Sequence, residues 1–211
     1  MPAADLLLVL VVLADFMVLG TSRLTTCIRA IALQGLMLGA LPIALTQHWS
    51  LHIVGLAVGS TVVKSLVLPW FLRRAIREAA VRREVEPSIG FTLSLVLGIA
   101  AVAIAFGVSQ RLPLPAGVSE LLVPVALATV IMGFLTLTTR SKAVTQVVGY
   151  LMLENGIYLF GLTSTDRVPF LVEIGVLLDV FVAVFIMGIV VFHINREFDS
   201  LSSIRLTELR D

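Results

Sequence analysis

The sequence predicts an all-α polytopic membrane protein with seven transmembrane helices, the N-terminus outside and the C-terminus in the cytoplasm. Three observations carry that prediction. Hydrophobic residues make up 58% of the 211 and charged residues only 14%, with a mean hydropathy of +1.05, against about 45–50% and about 25% in an average soluble domain. Seven apolar windows reach the roughly 20 residues that a membrane helix requires. The basic residues between those windows segregate to one side.

The windows are 2–20, 25–46, 51–72, 89–109, 118–139, 144–163 and 169–192. The first has no basic start, carries Asp5 and Asp15 and shows no small-residue cleavage site, so it reads as a span rather than a signal peptide. The runs are continuous rather than alternating, which excludes a β-barrel and leaves helices as the spanning element. Short connections join them. The longest, 73–88 (RRAIREAAVRREVEPS), interleaves arginines with small apolar residues, and reads as an amphipathic surface helix acting as a topology signal. The tail, 193–211, is polar and about one helix long, suited to docking on a cytoplasmic partner.

With seven spans, 12 of the 15 basic residues fall on one side: Arg23, Arg29, Arg73, Arg74, Arg77, Arg82, Arg83, Arg140, Lys142, Arg196, Arg205 and Arg210. Arg111 and Arg167 lie on the other side and Lys64 within a span. An even number of spans scrambles this segregation, and the positive side faces the cytoplasm.

Several chemistries are excluded. The single cysteine, Cys27, rules out an intrachain disulfide and a cysteine-held metal or Fe–S site. His48, His52 and His193 form no metal-binding pattern, because Pro42 and the stretch 47–50 make the region of the first two a loop. No phosphate-binding glycine loop, Walker motif or nucleophile elbow is present, and nothing points to nucleic acid. A net charge of +1 gives no pointer to partners.

The informative residues are ionisable groups inside spans. Each costs at least about 2.5–3.5 kcal/mol near the bilayer centre and is a functional hypothesis by default. At about 1.5 Å per residue, Glu154 lies roughly 15 Å into the sixth span, and Asp179 a similar distance into the seventh, which runs the opposite way. Lys64 lies slightly beyond the middle of the third. The three therefore share a depth, which suits both a lateral series of proton-exchanging groups and a structural ion pair. Burial drives carboxylates and lysines toward neutrality, and pairing opposes it, so a pair that forms and breaks makes a proton gate. Glu173 is shallower and about 120° round the helix from Asp179. Asp15 sits near the cytoplasmic end of the first span, where reaching the interface or a local hydrogen bond explains it. Gln34 and Asn155 suit hydrogen bonds between helices. Tyr150, Tyr158 and Asn155 are candidate hydrogen-bond partners that tune Glu154.

The stretch Gly149-Tyr150-Leu151-Met152-Leu153-Glu154-Asn155-Gly156 resembles a motif of the hydrogenase-4 component E (HyfE) family of membrane subunits. Lys64 to Pro69, Leu171 to Gly175, Leu178 to Val184 and the tail Leu201 to Arg210 agree with it. The resemblance covers nearly the whole chain. It implies a three-part organisation: 1–117 as an N-terminal four-helix region, 118–192 as a three-helix region similar to the K-type subunit (NuoK) of respiratory complex I, and 193–211 as a cytoplasmic tail. In the K-type subunit, glutamates in the second and third helices lie on the buried proton path. By that resemblance Asp179 falls at the third-helix glutamate, with Asp for Glu. The second-helix position falls to Leu151, and Glu154 follows three residues later, on nearly the same face and about 4.5 Å along the helix.

The resemblance further implies a subunit of a redox-driven, complex I-like hydrogenase or formate hydrogenlyase-type complex in the prokaryotic cytoplasmic (inner) membrane. This chain is then non-catalytic and holds no cofactor. Fe–S clusters and a metal centre belong to partner subunits, in a peripheral arm on the cytoplasmic side, and antiporter-like subunits are the membrane neighbours. The proton path comprises Glu154, Asp179, Lys64 and Glu173, with Asn155, Tyr158, Gln34 and Asp15 as supporting polar groups. Two other readings remain: a subunit of a multisubunit cation/proton antiporter without redox partner, which the four additional N-terminal spans disfavour, and a purely structural scaffold. A retinal protein is disfavoured because the seventh span lacks a lysine.

Overall fold

A computed structural model describes residues 2–45, 55, 58–59, 61–78, 88–112, 119–163, 175 and 178–188. Within them the regular structure is helical: α1 (Pro2–Gly20), α2 (Leu24–Leu45), a π-helical turn (Val63–Val67) running directly into α3 (Leu68–Glu78), α4 (Phe91–Ser109), α5 (Leu122–Thr139), α6 (Ala143–Gly161) and α7 (Leu178–Gly188). Four of these, α1, α2, α4 and α5, are long and apolar enough to cross a membrane. The α6 helix has the length, but Gln146, Glu154 and Asn155 dilute its apolar character. Much of it is buried among the other helices.

Two bonds orient the bundle. At one end Ser119 Oγ donates to Asp5 Oδ1 at 2.6 Å. At the other, Arg140 Nη2 donates to the Leu19 carbonyl at 2.8 Å. Helices α1 and α5 therefore run parallel, and the tight connection at 140–142 sends α6 back the opposite way. Arg140 is buried, with its guanidinium 5.5 Å from the Phe91 ring centre. Its charge meets the carbonyl end of α1, where the helix dipole favours a cation. Burial pushes this guanidinium down from its ordinary value. Expected only to mark topology, Arg140 also ties three helices together.

Glycines let the helices approach where a bilayer supplies no hydrophobic drive between them. A Cβ on Gly149 would lie 2.5 Å from the Leu137 nitrogen, one on Gly156 2.6 Å from the Val130 nitrogen, and one on Gly133 would meet the Leu153 backbone. The α5–α6 pair is thus in backbone contact along its length. The α4 helix uses a different device. Its buried face is Ser94, Gly98, Ala101, Ala105 and Ser109, while Leu93, Val96, Ile99 and Ile104 point outward. Apolar side chains from α1 to α7 join in one core, and a second core lies where α1, α2, α5 and α6 meet toward the Asp5 end.

The helix begun in the third predicted span continues beyond residue 72 to Glu78. Its arginines allow this: Arg73, Arg74 and Arg77 are exposed while Leu72, Ala75 and Ile76 are buried. The first part of the expected surface helix is therefore the end of a longer helix. The remainder, 79–87, lies outside the described residues, as do His48, His52, His193, Glu173, the tail and the 117/118 boundary. Only Gly175 and 178–188 of the seventh window are described.

Candidate functional site

The site starts at a proline. Pro69 has no N–H to give the carbonyl four residues back, and its ring clashes with that carbonyl. The preceding turn widens accordingly, and the Leu68 N–H bonds Val63, five residues back. Ser65 Oγ donates to the Thr61 carbonyl at 2.7 Å within the same turn. Such π turns frequently lie at functional sites. This one carries Lys64, and packs against two glycines of α2 spaced as in close-packing membrane helices. A Cβ on Gly35 would stand 2.8 Å from Lys64 Cβ, and one on Gly39 would collide with Thr61. The lysine stem is thereby pressed into the bundle.

Its ammonium meets three acceptors. Lys64 Nζ is 2.5 Å from Glu154 Oε1 and 3.3 Å from Asn155 Oδ1, both on α6. It lies 3.5 Å from Asp179 Oδ1 on α7. The Tyr158 ring centre is 6.0 Å away. Lys64 is 5% exposed, Glu154 3% and Asp179 0%. Glu154 Oε2 and both Asp179 oxygens have no hydrogen-bond partner among the described residues. Neither tyrosine hydroxyl therefore serves Glu154 Oε2. Tyr158 instead turns its ring toward the lysine, and Tyr150 lines a lateral cleft of about 250 Å³ with Leu137, Gln146, Phe181 and Phe185.

A second limb leaves from Asn155. Its Nδ2 donates to Gln34 Oε1 at 3.0 Å. Gln34 Nε2 donates to Asp15 Oδ1 at 2.7 Å, and Thr129 Oγ1 donates to Asp15 Oδ2 at 2.7 Å. Asp15 is 0% exposed. This corrects the expectation that it reaches the interface or bonds locally: its partners come from α2 and α5. Sequence reasoning missed Thr129. The available signal was a hydroxyl in the middle of an apolar window. The structure brings together Lys64, Glu154, Asp179, Asn155, Gln34, Asp15 and the ring of Tyr158.

Three carboxylates and one ammonium share this buried network. Fully ionised, it holds a surplus of negative charge, and burying unpaired charge is far costlier than binding protons. The arrangement places four ionisable side chains in one connected network, so a change of charge at one is felt by the others. Among the described residues no group of three or more His, Cys, Asp and Glu side chains forms a metal site.

The chain is similar to the uncharacterized protein Rv0085 of Mycobacterium tuberculosis, with 37% identity over 205 residues that cover 95% of this chain and 92% of that protein. It is also similar to hydrogenase-4 component E of Escherichia coli and of Shigella flexneri, with 28% identity over 151 residues, 71% of this chain and 69% of each of those proteins. No family model and no solved structure matches it.

Proposed function

We propose that this chain, which belongs to the family of the Mycobacterium tuberculosis protein Rv0085, is a non-catalytic membrane subunit of a redox-driven, complex I-like hydrogenase or formate hydrogenlyase-type complex, and that its buried cluster forms part of a proton path. The distant relation to hydrogenase-4 component E supports membership in a hydrogenase-type membrane complex. Antiporter-like subunits are then its neighbours in the prokaryotic inner membrane. Fe–S clusters and the metal centre sit on partner chains, and α5 to α7 take the part of the K-type helices.

The observation that carries the proton-path reading is the position of Lys64 between two buried carboxylates, Glu154 and Asp179, with a third, Asp15, on the same network. A static clamp needs one carboxylate per ammonium. Additional carboxylates with oxygens lacking hydrogen bonds among the described residues raise the cost of the site unless they hold protons. The lysine can lean toward either neighbour, and each position pairs its charge with a different carboxylate.

The test is Glu154→Gln and Asp179→Asn in the assembled complex, reconstituted in sealed vesicles. The expected result is normal assembly and electron transfer with loss of coupled proton movement. Unchanged coupling in both variants would sink the proton-path reading, and loss of assembly would favour a clamp. Purification of the native complex tests the membership. Copurifying Fe–S and hydrogenase-like chains are expected, whereas antiporter subunits alone would refute it.

A further inference from the structure

Two neutral amides link Asp15 to the lysine cluster, and every bond in the series is donated in one sense. Lys64 Nζ donates to Asn155, Asn155 to Gln34, and Gln34 to Asp15, at 3.3, 3.0 and 2.7 Å. The ends dictate that sense: an ammonium has only donors and an ionised carboxylate only acceptors. Among the described residues, Asp15 has few other sources of charge, and α1 packs chiefly against α2, α4 and α5. Neither α4 nor α5 has a titratable side chain, and α2 offers only Cys27 and Arg29. Cys27 faces the Val18 carbonyl, Arg29 is exposed, and Arg140 beyond α5 is engaged by the Leu19 carbonyl and the Phe91 ring. No salt bridge reaches Asp15 among the described residues.

We propose that Asp15 is a further proton-binding site whose occupancy sets the resting position of Lys64 through the Gln34–Asn155 chain. With Asp15 ionised, the amides point as observed and Asn155 offers Lys64 an oxygen. When Asp15 takes a proton from hydronium of the solvent, an O–H bond forms at Oδ1 as one in hydronium breaks, water is left, and no other covalent bond of the protein changes. The new hydroxyl donates to Gln34, both amides turn over, and Asn155 presents its NH₂ to the ammonium. Donor then faces donor. Lys64 leaves Asn155 for Asp179, 3.5 Å away, whose oxygens accept no hydrogen bond among the described residues. The amides pass no proton; they transmit orientation. The inference deepens the proton-path reading and rests on it for its purpose, but its measurement needs no partner subunit.

The experiment is an infrared pH titration of the full-length chain in lipid nanodiscs, with the Asp15 carboxyl band assigned by its loss in Asp15→Asn. Lys64→Met is expected to tighten proton binding at Asp15 about tenfold, a typical coupling between two sites. In a Gln34→Met background the same change is expected to have little effect. Thr129→Val is the control. It removes the other bond to Asp15 and shifts its titration, yet leaves the Lys64 effect in place. Should Gln34→Met fail to fold, Asn155→Leu cuts the chain one link further on and is read identically. A Lys64 effect that survives interruption at full size, or that is absent without it, overturns the proposal. Such a failure leaves the Glu154 and Asp179 tests standing, and failure of those tests leaves this titration readable.

Discussion

Lys64 Nζ lies 3.5 Å from Asp179 Oδ1, a carboxylate that accepts no hydrogen bond at either oxygen among the described residues, while the same ammonium is 2.5 Å from Glu154. One cation thus stands between an occupied acceptor and an available one. Removing a single member of a buried ion pair costs up to roughly 3–5 kcal/mol where the other charge is left uncompensated, and less for Glu154→Gln, because Asp179 remains beside Lys64. Lys64→Met and Glu154→Gln are each expected to destabilise the protein. The double variant is expected to cost less than their sum, by more than about 1 kcal/mol for residues in direct contact. Reversible unfolding in mixed micelles measures this, and strict additivity would contradict a coupled pair.

Pro69 separates stability from function. Pro69→Ala restores an N–H to the ladder and relieves the reason for the wide turn at Val63–Val67. The helix is expected to gain about 1 kcal/mol, while Lys64 rotates away from Glu154. Higher melting temperature with weaker coupled proton movement is the expected result. Equal coupling in the variant would show that the π turn does not position the lysine.

Glycines in close contact are expected to tolerate no side chain, unlike glycines in open space. Gly133→Ala puts a methyl group against the Leu153 backbone, whereas at Gly107 nothing among the described residues lies within 4 Å of the added atom. The first change is expected to cost about 1–3 kcal/mol by overpacking. The second is expected to be neutral or to stabilise α4 by up to about 1 kcal/mol. Thermal melts of the two variants side by side make the comparison.

Arg140→Lys retains the charge that sets topology and removes the planar group that reaches Leu19 and lies over Phe91. Arginine and lysine differ most at such stacked, fork-like contacts. The variant is expected to insert with unchanged topology but to lose about 1–3 kcal/mol, the cost of a buried group left unsatisfied. Cysteine-accessibility mapping reads topology, and a melt reads stability. Equal stability would reduce Arg140 to a topology signal.

Much of the helical framework was legible because long apolar runs interrupted by charge and proline have few alternatives in a bilayer. The described ends of α1, α2, α4 and α6 lie within two residues of the windows read from hydropathy. Lys64, Glu154 and Asp179 were legible for the same reason, as charges in apolar runs. What was not legible was direction. Thr136, Thr138 and Thr139 bond carbonyls of their own helix, as helical threonines commonly do, whereas Thr129 reaches Asp15 on α1. Sequence spacing does not distinguish the two. An arginine at a helix end looks the same whether it faces water or, like Arg140, a neighbouring carbonyl. From sequence, Pro69 reads only as the end of the Lys64 stretch, and the wide turn before it, packed against two α2 glycines, emerges from the structure.

The α5–α6 contact through Gly133, Gly149 and Gly156 has a consequence for inheritance. With two backbones touching, the span between Thr129 on one helix and Glu154 on the other is a fixed ruler, which no rotamer can lengthen. Drift at polar positions can be absorbed by neighbouring side chains, but drift at these three glycines recalibrates the ruler itself. In a saturation scan, the least forgiving sites would include residues that contribute no functional group.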